Sequence, residues 1–141
     1  MNEKQKKLAD FLSEYHDWKL EAHKIEPSMG SPKMDGMPKG SAHDPNIALD
    51  RHAGASNECW KREVIVKNLR DVGDEYIMLA DILSWRYLHK FSQHKTLRLL
   101  TEKYNWDMSE KTLRTKQELA LTQALTIIPV SWLDKWTPRQ K

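Results

Sequence analysis

A single cysteine, Cys59, stands in a chain of 141 residues. One thiol cannot close an internal bridge, so a disulfide scaffold is excluded. No histidine pair accompanies Cys59 at ligand spacing, and His89 and His94 are separated by a connector, so a metal site is not expected. Cys59 reads instead as a small buried hydrophobe. No apolar run approaches the length needed to span a bilayer. The first residues, Met-Asn-Glu-Lys-Gln-Lys-Lys, lead into an amphipathic stretch and not an apolar signal core. The expectation is a cytoplasmic chain with no membrane partner. No segment alternates apolar and polar residues with period two over a useful length, which argues against strands. Gly36 and Gly40 are not followed by Gly-Lys-Ser/Thr, so no phosphate loop is present. His16, Asp17, Glu21 and His23 are spaced for a solvated face and not for a catalytic pair. Neither an enzyme nor a cofactor is expected. An excess of one charge is also missing. The 23 basic and 20 acidic residues leave a net +3, which permits nucleic-acid binding without demanding it.

What is present is tryptophan and helical periodicity. Six tryptophans, spread from Trp18 to Trp136, can each remove a large apolar area from water. The fold class predicted is all-α, in five segments. Residues 1–26 hold an amphipathic helix over 4–25, with Leu8, Phe11, Tyr15, Trp18, Ala22 and Ile25 in a heptad stripe. That stripe suits either docking on the chain's own core or a homodimer seam. Residues 27–45 gather four of the six prolines and three of the five glycines, which makes a linker or structured loop. Its Met34 and Met37 argue mildly for packing under the loop or on a partner. Residues 46–73 form a central helical region, with a break plausible near Gly54. Residues 74–130 hold three helices: one capped by Asp74, one from Ser92 to Tyr104, and one from Ser109 to about Ile128. Residues 131–141 form a short tail whose Trp132 and Trp136 can pack back.

The 74–130 segment carries the functional signal. Its last two helices are joined by a short turn, Asn105 to Met108. Wound at 100° per residue, the last helix places Leu113, Ala120, Leu121, Ala124, Ile127 and Ile128 on one broad face. Its opposite side begins with Glu110, Lys111, Thr112, Arg114, Thr115, Lys116 and Gln117. These types hydrogen-bond base edges, and a recognition helix reads mainly with its N-terminal turns. The preceding helix start and the new cap offer Lys90, Ser92, Gln93, Lys95, Arg98 and Ser109 for phosphate contact, where helix dipoles favour anions. A cationic outer face is often merely solvated. Capped helices across a short turn also occur in bundles. The combination of the two points to a helix-turn-helix unit on double-stranded DNA.

The stretches Ile82-Leu-Ser-Trp-Arg-Tyr-Leu-His-Lys-Phe-Ser, Thr96-Leu-Arg-Leu-Leu and Met108-Ser-Glu-Lys-Thr-Leu-Arg resemble the region-four helix-turn-helix of bacterial sigma factors. Arg86-Tyr87-Leu88 falls where that family has an Arg-Tyr-Leu tail, and Ser109 to Leu113 falls where its recognition helix opens. The turn Tyr104 to Met108 is longer than the sigma-factor turn. Together with the Ser31 to Ser41 loop, the pattern over about Tyr15 to Ile128 resembles the ArpU/RinA group of phage-encoded late-gene regulators. That resemblance implies sequence-specific binding at a promoter, activation of packaging and structural genes, and contact with host RNA polymerase. Two alternatives stand beside it. One is a small terminase subunit on packaging-site DNA; the other is a helical interaction module with no DNA role.

Overall fold

The computed structural model describes residues 1–25 and 45–139, and among these the chain is all-α. The Pro/Gly-rich stretch predicted as a loop, with Met34 and Met37, lies outside the described residues except for Pro45, which opens a helix. Helix α1 (Glu3–Ser13) starts in a reciprocal capping box. The Gln5 N–H donates to the Asn2 side chain at 2.8 Å, and the Asn2 N–H donates to the Gln5 side chain at 2.9 Å.

The spacing predicts one helix over 4–25, but the chain breaks at Glu14 and resumes as α2 (Tyr15–Ala22). The cause is remote in sequence. Arg62 Nε donates to the Phe11 carbonyl at 2.6 Å. That carbonyl is the acceptor an unbroken helix would give to the Tyr15 N–H, and a side chain entering the ladder bends a helix.

Helix α3 (Pro45–Val72) runs straight through Gly54, where a break is plausible from sequence. Nothing lies within 4 Å of where a Cβ would sit at Gly54. Gly54→Ala is therefore expected to stabilise the protein by about 0.5–1 kcal/mol, because it removes only unfolded-chain freedom. Thermal melting followed by circular dichroism checks this; a lowered midpoint would show that the site needs glycine.

Gly73, in extended backbone, precedes α4 (Asp74–Leu83), so Asp74 is the first helical residue and not the cap. It and Glu75 still face the positive end of the helix dipole. The helix then widens into one π-helical turn, Ser84–Leu88, in which the His89 N–H reaches the Ser84 carbonyl at 2.9 Å. Helices α5 (Gln93–Tyr104), α6 (Glu110–Ile127) and α7 (Val130–Asp134) complete the chain.

The main core joins α1, α3, α4, the π turn, α6 and α7 through Leu8, Phe11, Leu12, Ile65, Leu69, Leu83, Leu121, Leu133 and their neighbours. Trp132 and Trp136 pack on it from the tail, as their spacing predicts. Leu8, Phe11 and Leu12 are at most 1% exposed. The part of the stripe on α1 therefore docks on the chain's own core. A smaller cluster, Ile82, Leu100, Met108 and Leu113, knits α4, α5 and α6 together.

Two buried ionic groups tie the elements. Arg62, fully buried, reaches Glu58 Oε2 at 2.8 Å and Glu14 Oε1 at 3.2 Å and lies over the Phe11 ring. Asp81 accepts from Arg70 at 2.7 Å, from Lys103 at 2.6 Å and from the Tyr104 hydroxyl, joining α4 to α3 and α5.

Candidate nucleic-acid interface

The two helices of the predicted motif begin as their sequences dictate. Ser92 caps α5, accepting from the Lys95 N–H at 3.1 Å, and Ser109 caps α6, accepting from the Thr112 N–H at 3.2 Å. Between them Asn105 turns the chain in the left-handed region, φ 54°, with its N–H on the Thr101 carbonyl at 2.9 Å. Asparagine tolerates that conformation better than most side chains. Met108 and Leu113 then flank the Ser109 cap in the positions of a hydrophobic staple, both buried in the small cluster. The pair is visible in the sequence as apolar residues either side of a serine and fixes the angle at which α6 enters.

On α6, Leu113, Ala120, Leu121 and Ala124 are buried, as the helical spacing predicts. Glu110, Lys111, Arg114 and Thr115 are exposed, and Thr112 and Lys116 are half-buried at the flank. Gln117 departs from its predicted place among the base-contacting residues. It is buried, its amide donates to the Tyr87 hydroxyl at 2.7 Å, and its carbonyl accepts from Arg86 Nε at 3.1 Å. Arg86 also holds the Phe91 carbonyl at 2.7 Å. Gln117 thus latches α6 to the π turn, and its amide faces away from solvent. The position lies four residues after Leu113 and three before Ala120, so helical spacing alone places it on the inner face.

Beyond Thr115 the outer row of α6 meets α1. Gln5 of α1 donates to the Glu118 carbonyl at 3.2 Å and to the Thr122 hydroxyl at 2.6 Å. Glu118 and Thr122 stay exposed, so α1 braces the row beyond Thr115 without covering it, and the first two turns are the part clear of α1.

The phosphate-contact candidates cluster where α5 begins. Lys90, Ser92, Lys95 and Arg98 are exposed and Gln93 is half-buried. Lys90 adopts φ 55°, an uncommon conformation for a non-glycine residue. The Lys95 ammonium sits 3.9 Å from the Phe91 ring centroid, and His89 stacks on the same ring at 5.3 Å. Neither aromatic contact follows from helical periodicity, because both involve the connector. The Ser109 hydroxyl hydrogen-bonds Thr112 Oγ1 at 3.0 Å besides capping, so its group is already engaged within the protein.

Charge pairing separates these residues from the basic residues of α3 but not from Lys4, Lys6 and Lys7 of α1, which also make no ion pair among the described residues. In α3, Lys61, Arg62, Lys67 and Arg70 each pair with a carboxylate. Lys90, Lys95, Arg98, Lys111, Arg114 and Lys116 make no ion pair among the described residues. Unpaired cations keep their full attraction for an external anion. No group of His, Cys, Asp or Glu among the described residues is placed to hold a metal ion, and no helix there is long and apolar enough to cross a membrane. Comparison with protein-family models, with curated proteins and with solved structures finds no match to this chain.

Proposed function

We propose that this chain is a sequence-specific double-stranded DNA-binding protein that regulates transcription, with the open turns of α6 as the reading surface and the start of α5 as the phosphate clamp. The observation that carries the reading is the set Lys111, Arg114 and Thr115, exposed on the first two turns of a helix whose entry is fixed by the Ser109 cap and the Met108–Leu113 staple. Such a helix fits the major groove, and arginine and lysine match guanine edges there. Ser92, Lys95 and Arg98 at the start of the neighbouring helix suit the flanking backbone. The sigma-like segments Arg86 to Leu88 and Ser109 to Leu113 and the likeness to phage late-gene regulators extend the proposal. In that extension the site is a promoter upstream of late genes, and host RNA polymerase is a partner.

The test is a binding titration against salt on promoter DNA, followed by footprinting with and without polymerase. Affinity should fall steeply with salt as phosphate contacts release counterions. Lys111→Ala or Arg114→Ala should each cost about 1–3 kcal/mol on the specific site and relax its sequence preference, with melting unchanged. Unchanged affinity in both variants removes α6 from the reading role. A salt slope near zero removes DNA as the ligand altogether.

A further inference from the structure

One large aromatic in this region has no part in either core. Trp106, in the turn between α5 and α6, is 40% exposed and belongs to neither buried cluster. Its backbone is held: Asn105 fixes the turn, and Thr101 Oγ1 lies 3.4 Å from the Trp106 carbonyl. The Lys116 ammonium lies 5.4 Å from the Trp106 ring centroid, within cation–π range. Its indole N–H makes no hydrogen bond among the described residues.

Sequence reasoning groups Lys116 with the base-contacting residues because of its place near the α6 start. The structure gives its side chain another direction. The ammonium is drawn sideways to the turn, away from the row formed by Lys111 and Thr115. In a helix that enters a groove, that row faces the floor, and a turn at the helix start lies near the rim, where the backbone runs. A lysine ammonium is a point charge suited to phosphate, whereas bidentate base readout needs a paired geometry.

Resting on the DNA-binding reading above, we infer that Trp106 and Lys116 form one sugar-phosphate contact at the groove rim. Lys116 supplies the charge and Trp106 is the positioning residue that aims it. The pair fixes register on the duplex and carries no base preference.

The experiment measures affinity for promoter DNA and for a scrambled duplex across a salt series. The proteins are the full-length chain and its Lys116→Ala, Trp106→Ala, Trp106→Phe and double-alanine variants, with melting curves as the folding control. Lys116→Ala should weaken both duplexes by the same factor, on the order of three- to tenfold, and make the salt slope shallower by about one. Trp106→Ala should weaken both duplexes alike, the double variant should be no worse than the Lys116 variant by more than about twofold, and Trp106→Phe should recover most of the loss. Loss on promoter DNA alone would make Lys116 a base reader and overturn the inference. So would losses that multiply independently in the double variant. Both outcomes leave the DNA-binding reading intact. Wild-type protein that fails to bind either duplex removes that reading and this inference together.

Discussion

Arg62→Ala should be the most damaging single substitution in the protein, lowering stability by about 3–5 kcal/mol in urea titration followed at 222 nm. The guanidinium is fully buried and every side of it is engaged. Nε donates to the Phe11 carbonyl, Nη1 to the Glu58 carbonyl and carboxylate, and Nη2 to Glu14. Its plane lies 3.9 Å from the Phe11 ring centroid. Removal leaves Glu14, a carboxylate with 11% side-chain exposure, without its cation, although Trp18, Trp136 and the Arg139 N–H still donate to it. It also leaves a cavity, and the Phe11 carbonyl keeps only the Glu14 N–H at 3.3 Å. Arg62→Lys keeps the charge but not the planar fork, and should recover less than half of the loss. Combining Arg62→Met with Glu14→Gln should cost less than the sum of the two changes, because neither leaves the other's charge buried alone. A loss below about 1 kcal/mol for Arg62→Ala would mean that water replaces the guanidinium without cost, and the account of the α1–α2 joint would fail with it.

Asp81→Asn should follow, at about 2–4 kcal/mol at neutral pH. The carboxylate is 5% exposed, but Arg70 and Lys103 are 37% and 46% exposed and regain water when released, so the cost falls short of that of a fully buried triad. Burial alone would raise the Asp81 pKa; the bonds from Lys103, Tyr104 and Arg70 outweigh it and hold the carboxyl below its ordinary value. A group lowered in the folded state stabilises above its unfolded pKa, near 4, and that stability is lost as pH falls through the folded value. Wild-type stability should therefore decline as pH falls below about 5, and the Asn variant should show a shallower decline. A residual slope remains, because Glu58, also lowered against its burial by Arg62 and Lys61, acts in the same direction. Burial and the Asp81 carboxylate push the Tyr104 phenol the opposite way, above its ordinary value. Its contribution is complete below about pH 10 and is lost as pH rises through the folded value. Because Asp81 binds Lys103 and Tyr104, the same substitution should speed hydrogen exchange in α5 more than in α3. Equal protection in both helices would show that the triad does not anchor α5.

Local signals in the sequence reach far but stop at identifiable points. The Ser92 and Ser109 caps, the apolar face of α6 and the packing of Trp132 and Trp136 follow from spacing and residue type, because each depends on neighbours within a few positions. Three features did not follow. The break at Glu14 is caused by Arg62, 48 residues away, and no periodicity within 4–25 encodes it. The π turn at Ser84–Leu88 has no sequence signature; it is held by Arg86 and Tyr87 closing on Gln117. Residue type groups Gln117 with the base-contacting residues, whereas spacing places it inward. The position sits between Leu113 and Ala120 on the inner face, and a buried glutamine is tolerable where both halves of its amide find partners. Trp106 and Lys116 show the same limit, since a rise per residue gives the side a residue starts from but not where a long side chain ends.

Helix α6 belongs to both apolar clusters, with Leu113 in the small one and Ala120, Leu121 and Ala124 in the main one. Its outer row is braced by α1 and its inner face by the π turn. The consequence concerns modularity. The stretch from Asp74 onward is not a cassette that recombination could graft elsewhere, because cutting it free would strip α6 of half its support. Under the proposed function, changes of target would arise by substitution on its first two turns, while the rest of the helix is bound by the interior of the whole chain.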